Sequence, residues 1–187
     1  MMMSTETDPV ESPPRTWVKI LLTVIVLSIA AMWIYAFAFA PREGVYRVRS
    51  DQWRADAQQV CLAARDQRFA LADTSAGYIA NPTNEQMTER ANVVDKATDI
   101  LDTMLDDLEA LPLTETRDRE LVTIWLGHYR TLMGDRRVYT ERLRVFNLQP
   151  FEESTVLGGP ITNVLSDFTS GNDIKACVPP GELGGDR

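Results

Sequence analysis

Four features of this chain have residue types or spacings that chemistry can use. Asp95, Asp99, Asp102, Asp106 and Glu109, with Asp107 beside them, recur every three or four positions. On a helix that spacing makes one acidic ridge, and hard divalent cations bind where carboxylates cluster. A straight helix radiates its side chains outward, however, and no Asp-x-Asp-x-Asp-Gly loop accompanies the ridge. The ridge is therefore read as a solvated face, balanced by Arg117, Arg119, Arg130, Arg136, Arg137, Arg142 and Arg144 of the following segment. His128, the only histidine, falls between Trp125 and Leu132 on an apolar seam. An imidazole can serve as general base or pH switch. No nucleophile or second ligand accompanies this one, which is read as a core-edge residue. Trp53, Trp125, Tyr129 and Tyr139 have the character of a pocket lining between helices, but their helical spacing is that of core positions.

The fourth is the pair of cysteines, Cys61 and Cys177. They show neither metal-ligand spacing nor a Cys-x-x-Cys motif, and an isolated even pair in an exported domain is most simply one disulfide. The alternative is two unrelated buried thiols. A bridge would tie the C-terminal tail to the middle of a helix. In the chain-entropy picture, closing a loop of this length contributes about 4–5 kcal/mol. It would also leave no free thiol for a Cys–His pair with His128. The chain has no phosphate-cradling glycine loop, Gly-x-Ser-x-Gly or His-Glu-x-x-His. No catalytic, cofactor-binding or metal-binding residue is assigned, and the protein is expected not to be an enzyme.

The elements that must position these residues are helical. Ser50 offers an N-cap for a helix from Asp51 to about Ala76, whose apolar stripe is Trp53, Ala57, Val60, Cys61, Ala64 and Leu71. Gly77 and Asn81-Pro82 close it. Thr83 and Gln86 match a capping box. The helix that follows, to about Leu111, carries Met87, Ala91, Val94, Thr98, Leu101, Leu105 and Leu108 in alternating steps of four and three. Ile100, Met104 and Leu111 widen the stripe as in a bundle helix, and Pro112 stops it. A third helix, from about Glu115 to Phe146, repeats the pattern with Leu121, Trp125, His128, Leu132, Tyr139, Leu143 and Phe146. Short links force an up-down-up arrangement. Gly158-Gly159-Pro160 then precedes a short amphipathic segment with Ile161, Val164, Leu165 and Phe168 on one face, ended by Gly171. No strand pattern is visible.

Ahead of the bundle lies an apolar run. From Ile20 to Ala40 there is no charge, and ~21 residues in a helix span ~30 Å, enough to cross a bilayer core. A secretory signal is the competing reading, with Arg15 and Lys19 as its basic region and Ala36-Phe37-Ala38 or Ala38-Phe39-Ala40 as its cleavage site. The run is too long for one, Phe39 or Pro41 would follow the cut, and Trp17, Trp33 and Tyr35 sit where amphipathic rings settle at membrane interfaces. An uncleaved anchor is expected. Ala36 and Ala40 form a small-xxx-small pair suited to another transmembrane helix, or are alanines merely tolerated in lipid. The fold class is thus all-α. It has one N-terminal transmembrane helix followed by an up-down-up three-helix bundle with a short C-terminal helix and a disulfide-tied tail. The divisions are 1–16 as a disordered tail, 17–40 as the transmembrane helix, 41–50 as a juxtamembrane linker and 51–187 as the bundle domain.

Orientation rests on two opposed signals. Arg42, Arg47, Arg49 and Arg54 outnumber Arg15 and Lys19, which by the positive-inside rule favours a cytoplasmic domain. The cysteine pair favours an oxidising compartment, and the expectation follows it: N-terminus cytoplasmic, domain extracytoplasmic. A net charge of −8 argues against nucleic acid as a partner and against anionic lipid as a docking surface for the domain. Arginine outnumbers lysine sixteen to three, a bias of GC-rich coding rather than of a binding site.

The ending from Asn172-Asp173 through Cys177-Val178-Pro179-Pro180-Gly181, after a single N-terminal span, resembles the tails of uncharacterised single-pass actinobacterial membrane proteins. The resemblance covers the anchor and some fifteen residues and implies no activity. The function expected from the residues is protein contact: an accessory or scaffold subunit of a cell-envelope or membrane complex, with the bilayer and an envelope protein as partners. The alternatives are an extracytoplasmic small-molecule-sensing bundle and an enzyme or metal-binding protein. The sensing reading is weakened by the short acidic stretch on the other side of the span.

Overall fold

The computed structural model describes residues 15–36, 44, 46–71 and 81–181. It forms two compact units, Met1–Glu43 and Gly44–Arg187. In the first unit, α1 (Arg15–Ile34) carries no charge from Ile20 to its end. It is long and apolar enough to span a membrane, and none of its span is buried against other parts of the chain. The helix begins at Arg15, earlier than the predicted start of the span. Ile20 and Trp33 are exposed on it, as is Tyr35 just beyond its end, and Ala40 lies outside the described residues.

The second unit is a helical bundle built from α2 (Asp51–Phe69), α3 (Asn84–Ala110) and α4 (Thr116–Arg144), then α5 (Ile161–Gly171) and a 3-10 turn, Lys175–Cys177. The starts of α2 and α3 follow the predicted capping chemistry. The Ser50 hydroxyl accepts from the Trp53 N–H at 3.1 Å. The Thr83 hydroxyl accepts from the Gln86 N–H at 3.2 Å, while the Gln86 side chain accepts from the Thr83 N–H at 2.9 Å. Each bond satisfies a backbone donor that the first helical turn leaves open.

Helix α3 packs between α2 and α4, while α5 lies on α4 and the 3-10 turn lies on α2. The α5 helix also touches the 3-10 turn, so the C-terminal segment closes the side of the bundle away from α3. One core runs through all of it, with Trp53 and Cys61 from α2, Leu101 and Leu105 from α3, Trp125 and Leu126 from α4, and Ile161 and Leu165 from α5. Trp125 stacks on Phe168 with ring centroids 4.8 Å apart and meets Tyr129 edge-on at 5.6 Å. A smaller cluster of Met87, Ala91, Tyr139 and Leu143 sits toward the other end, with Phe151 against it.

Several expectations need correction. Helix α2 ends at Phe69 rather than near Ala76, with Ala70 and Leu71 in a turn; Gly77 lies outside the described residues. Beyond Ala64 no residue of α2 is buried, and a last turn without packing has little to hold it. The buried face of α4 includes Val122, Leu126, Met133, Arg136 and Thr140 as well as Trp125, Leu132 and Tyr139. Two neighbours, α3 and α5, each claim a stripe of that helix, so the buried face is wider than one seam, and Leu121 and His128 lie half-buried at its edge. A two-residue hairpin, β1 (Thr155–Val156) against β2 (Gly159–Pro160), precedes α5. Its turn residues Leu157 and Gly158 both have positive φ, 54° and 81°, as a type I′ turn requires. Strands this short carry no periodicity to read. Finally, the compact unit starts at Gly44, and Val48, within the stretch read as linker, is fully buried.

Candidate functional site

The acidic ridge of α3 is occupied by arginines. Arg130, Arg137 and Arg144 stand seven residues apart on α4, two turns each, and therefore share one edge of the helix. Arg130 donates to Glu109 at 2.5 Å and Asp106 at 3.4 Å. Arg137 donates to Asp102 at 2.5 Å and Asp99 at 3.0 Å. Arg144 pairs with Asp95 and with Glu141 of its own helix. Hydrogen bonding to Glu109, Asp102 and Asp95 respectively raises each guanidinium above its ordinary value. A cation entering the ridge would have to displace these groups. The other arginines expected to balance it turn elsewhere. Arg117 donates to the Arg47 carbonyl, Arg136 to the Thr98 hydroxyl, and Arg142 to the Pro150 carbonyl. Among the described residues no group of three or more His, Cys, Asp or Glu is placed to hold a metal ion.

A denser polar constellation lies where residues 46–50 enter the bundle. Asn172, just after α5, is completely buried. Its Oδ1 accepts from the Val48 N–H at 2.7 Å, and its Nδ2 donates to the carbonyls of Tyr46 at 3.1 Å and Phe168 at 2.9 Å. Asp118, in the first turn of α4, is also buried. Its Oδ2 accepts from the N–H groups of Arg49 at 2.8 Å and Ser50 at 3.2 Å, and Arg117 donates to its Oδ1 at 3.3 Å. Arg47 donates to the Gly171 carbonyl at 2.8 Å and to Asp173 at 2.9 Å. That hydrogen bond, with the charge of Arg47, holds the Asp173 carboxyl below its ordinary value. Val48 is the buried residue of this strap, while Tyr46 and Arg49 are exposed, and buried backbone polar groups need partners. Asn172 and Asp118 supply them for the N–H groups of Val48, Arg49 and Ser50.

About three turns into α2, Cys61 bonds Cys177, S–S 2.03 Å with the Cα atoms 5.0 Å apart. Both residues are buried. The neighbouring Ala176 N–H donates to Gln58 at 3.0 Å. Disulfide, Asn172 and Asp118 together join the strap, α2, the start of α4 and the C-terminal segment. The disulfide was legible from the cysteine count. Asn172 and Asp118 were missed, because one polar residue facing a backbone more than sixty positions away leaves no local pattern.

The remaining candidates do not assemble into a site. Trp53, Trp125 and Tyr129 are core residues, and Tyr139 packs in the smaller cluster against Phe151, ring centroids 5.7 Å apart. The indole N–H groups of Trp53 and Trp125 are buried without an acceptor, so both rings act as apolar filling. Shallow depressions of about 280 Å³ beside Arg54, Gln58 and Asp173, and about 220 Å³ between Leu111, Leu113 and Val122, fall below the ~300 Å³ from which ligand pockets begin. Comparison with models of known protein families, with curated proteins and with solved structures finds no match for this chain.

Proposed function

We propose that this protein is a single-pass membrane protein whose helical domain lies outside the cytoplasm and works by protein contact, as an accessory or scaffold subunit of an envelope complex. The observation that carries the reading is α1: an apolar helix of membrane-spanning length with none of its span buried within the chain. Apolar surface of that extent is unfavourable in water and favourable in lipid. The compartment is supported by the buried Cys61–Cys177 bridge, since structural disulfides persist where the surroundings are oxidising. The contact role is supported by what the polar groups are doing. The ridge carboxylates Asp95, Asp99, Asp102, Asp106 and Glu109 hold arginines, and the cysteines hold each other. Side chains committed to pairing are poor nucleophiles and poor metal ligands.

A topology reporter fused after Arg187 tests the orientation. Activity of a reporter that works only outside the cytoplasm is expected, and activity of a cytoplasmic reporter alone overturns it. Retention of full-length mass in the membrane fraction tests the anchor; release of a shorter chain would show a cleaved signal. For the contact role, in-cell cross-linking followed by mass measurement should capture discrete heavier species of fixed composition. Recovery of the free chain alone removes the scaffold reading.

A further inference from the structure

The segment from Asn172 to Cys177 reaches two places at once. One end meets the strap: Asn172 holds the Val48 N–H and the Tyr46 carbonyl, and Arg47 donates to the Gly171 carbonyl and to Asp173. The other end is bonded to α2 through Cys177 and Cys61. Between the ends the backbone is a series of closed turns. The Asp173 N–H donates to the Ser170 carbonyl at 3.4 Å and the Ile174 N–H to the Thr169 carbonyl at 3.0 Å, the paired bonds of a Schellman ending to α5. Asp173 takes the left-handed position of that ending, φ 59°, where glycine is usual. The Cys177 N–H then donates to the Ile174 carbonyl at 2.9 Å, and Ile174 is fully buried. Each link is hydrogen-bonded, so a movement at Cys177 is passed on to Asn172. Apart from its sulfur, the 3-10 turn is tied to α2 by the Ala176 N–H on Gln58 and by the burial of Ala176 and Cys177.

We propose that the Cys61–Cys177 bridge is a redox latch on the strap: thiol–disulfide exchange at this pair and the docking of residues 46–50 are coupled, each favouring the other. The exchange partner is a dithiol. Its thiolate attacks one sulfur of the bridge to form a mixed disulfide, and its second thiol then displaces the remaining cysteine. Cys61 and Cys177 together gain two electrons and two protons and become thiols, and the dithiol becomes a disulfide. The 3-10 turn can then lift, and Asn172 loses the position from which it holds the strap. Asp118 and Arg117 keep their bonds to residues 47, 49 and 50, so the strap loosens on one side while the long helices stay packed. Both sulfurs are buried, and a reductant reaches them only when that same lift has occurred. Coupling between two sites is reciprocal, so a weakened strap makes the bridge easier to reduce. Residues 46–50 are the stretch by which the chain passes from α1 into the bundle, and the latch sets whether that entry is fixed or loose. The inference stands on the bundle alone and does not depend on the scaffold reading.

Amide exchange on the full chain in detergent micelles, before and after reduction with dithiothreitol, tests it. Reduction should lower protection at residues 46–50 and 172–177 by roughly fivefold or more beyond any loss at residues 101–108 of α3, the lower end of the usual range for coupled sites. Unchanged protection of the strap overturns the proposal. So does an equal loss in strap and α3, which would make the bridge a staple of the whole bundle and not a latch on one segment. The reciprocal measurement equilibrates the oxidised chain with mixtures of reduced and oxidised dithiothreitol. Asp118→Ala alters the strap without touching either cysteine, and should reach half-reduction at a roughly fivefold lower ratio of reduced to oxidised reagent. Arg137→Ala, in the ladder, should match the native chain. An unmoved midpoint in Asp118→Ala, or an equal shift in both variants, overturns the latch.

Discussion

The two sides of the bundle are held in different ways. Where α3 meets α4, neighbours in sequence pack along their whole length. Their contact is a repeated motif: leucines inside, and outside them arginine on carboxylate at every second turn. Where α2 meets the C-terminal segment, no repeat exists. That side depends on single residues reaching across the chain, with Cys61 bonded to Cys177 at a separation of 116 residues, and Asn172 and Asp118 each closing the strap. A repeated interface can lose one unit and keep its neighbours. A unique staple has no substitute. The lesson is that the polar groups with the most conspicuous spacing, the ridge of α3, should matter less to stability than the inconspicuous Asn172.

Removal of the bridge should have the largest effect. Cys61→Ser with Cys177→Ser frees a loop whose closure contributes about 4–5 kcal/mol in the chain-entropy picture. Chemical unfolding of the full chain should show a loss of that order or somewhat less. A loss no larger than that of a ladder variant would erase the contrast between the two sides.

Next comes the strap. Asn172→Ala leaves the Val48 N–H buried without a partner and removes the bond to the Tyr46 carbonyl, at a cost of about 2–3 kcal/mol. Asp118→Ala, which orphans the N–H groups of Arg49 and Ser50, should fall in the same range. Amide exchange would sharpen the point, because protection should be lost at residues 46–50 before it is lost in α3.

The ladder should cost least among the substitutions. Arg137→Ala breaks bonds to Asp99 and Asp102, but the guanidinium is almost half exposed, and such pairs contribute about 1 kcal/mol or less. The loss should shrink further in high salt. A salt-insensitive loss comparable to that of Asn172→Ala would show that the ladder is a staple after all.

The smallest effect is the acid response of the Arg47–Asp173 pair. The folded carboxyl titrates below its ordinary 3.8 because Arg47 donates a hydrogen bond to it. Its contribution is therefore present above that value and lost as pH falls through the lower folded one. The unfolding temperature measured against pH should show a small extra drop in that acid limb, absent in Asp173→Asn. The ladder arginines are raised above their already strongly basic ordinary value, by hydrogen bonds to Glu109, Asp102 and Asp95. Their contribution is present below that value, so it should stay constant from about pH 5 to 9.

The sequence by itself determined everything that repeats or that chemistry restricts to few residue types. Leu101, Leu105 and Leu108 announce α3 because a helix returns to the same face every three to four residues. Thr83 with Gln86 announces its start, and a run of uncharged residues of bilayer length announces α1. Two cysteines can form only one bridge. Only the tertiary structure decided how wide a face of α4 is covered, since periodicity does not say where the neighbours stand. It alone decided that 46–50 is a strap held to the bundle at buried Val48 rather than a linker, and that α2 stops at Phe69. The strap depends on contacts between residues more than sixty positions apart. Local propensity is blind at that range, because the energy of a lone asparagine facing a distant N–H exists only once the chain has brought them together.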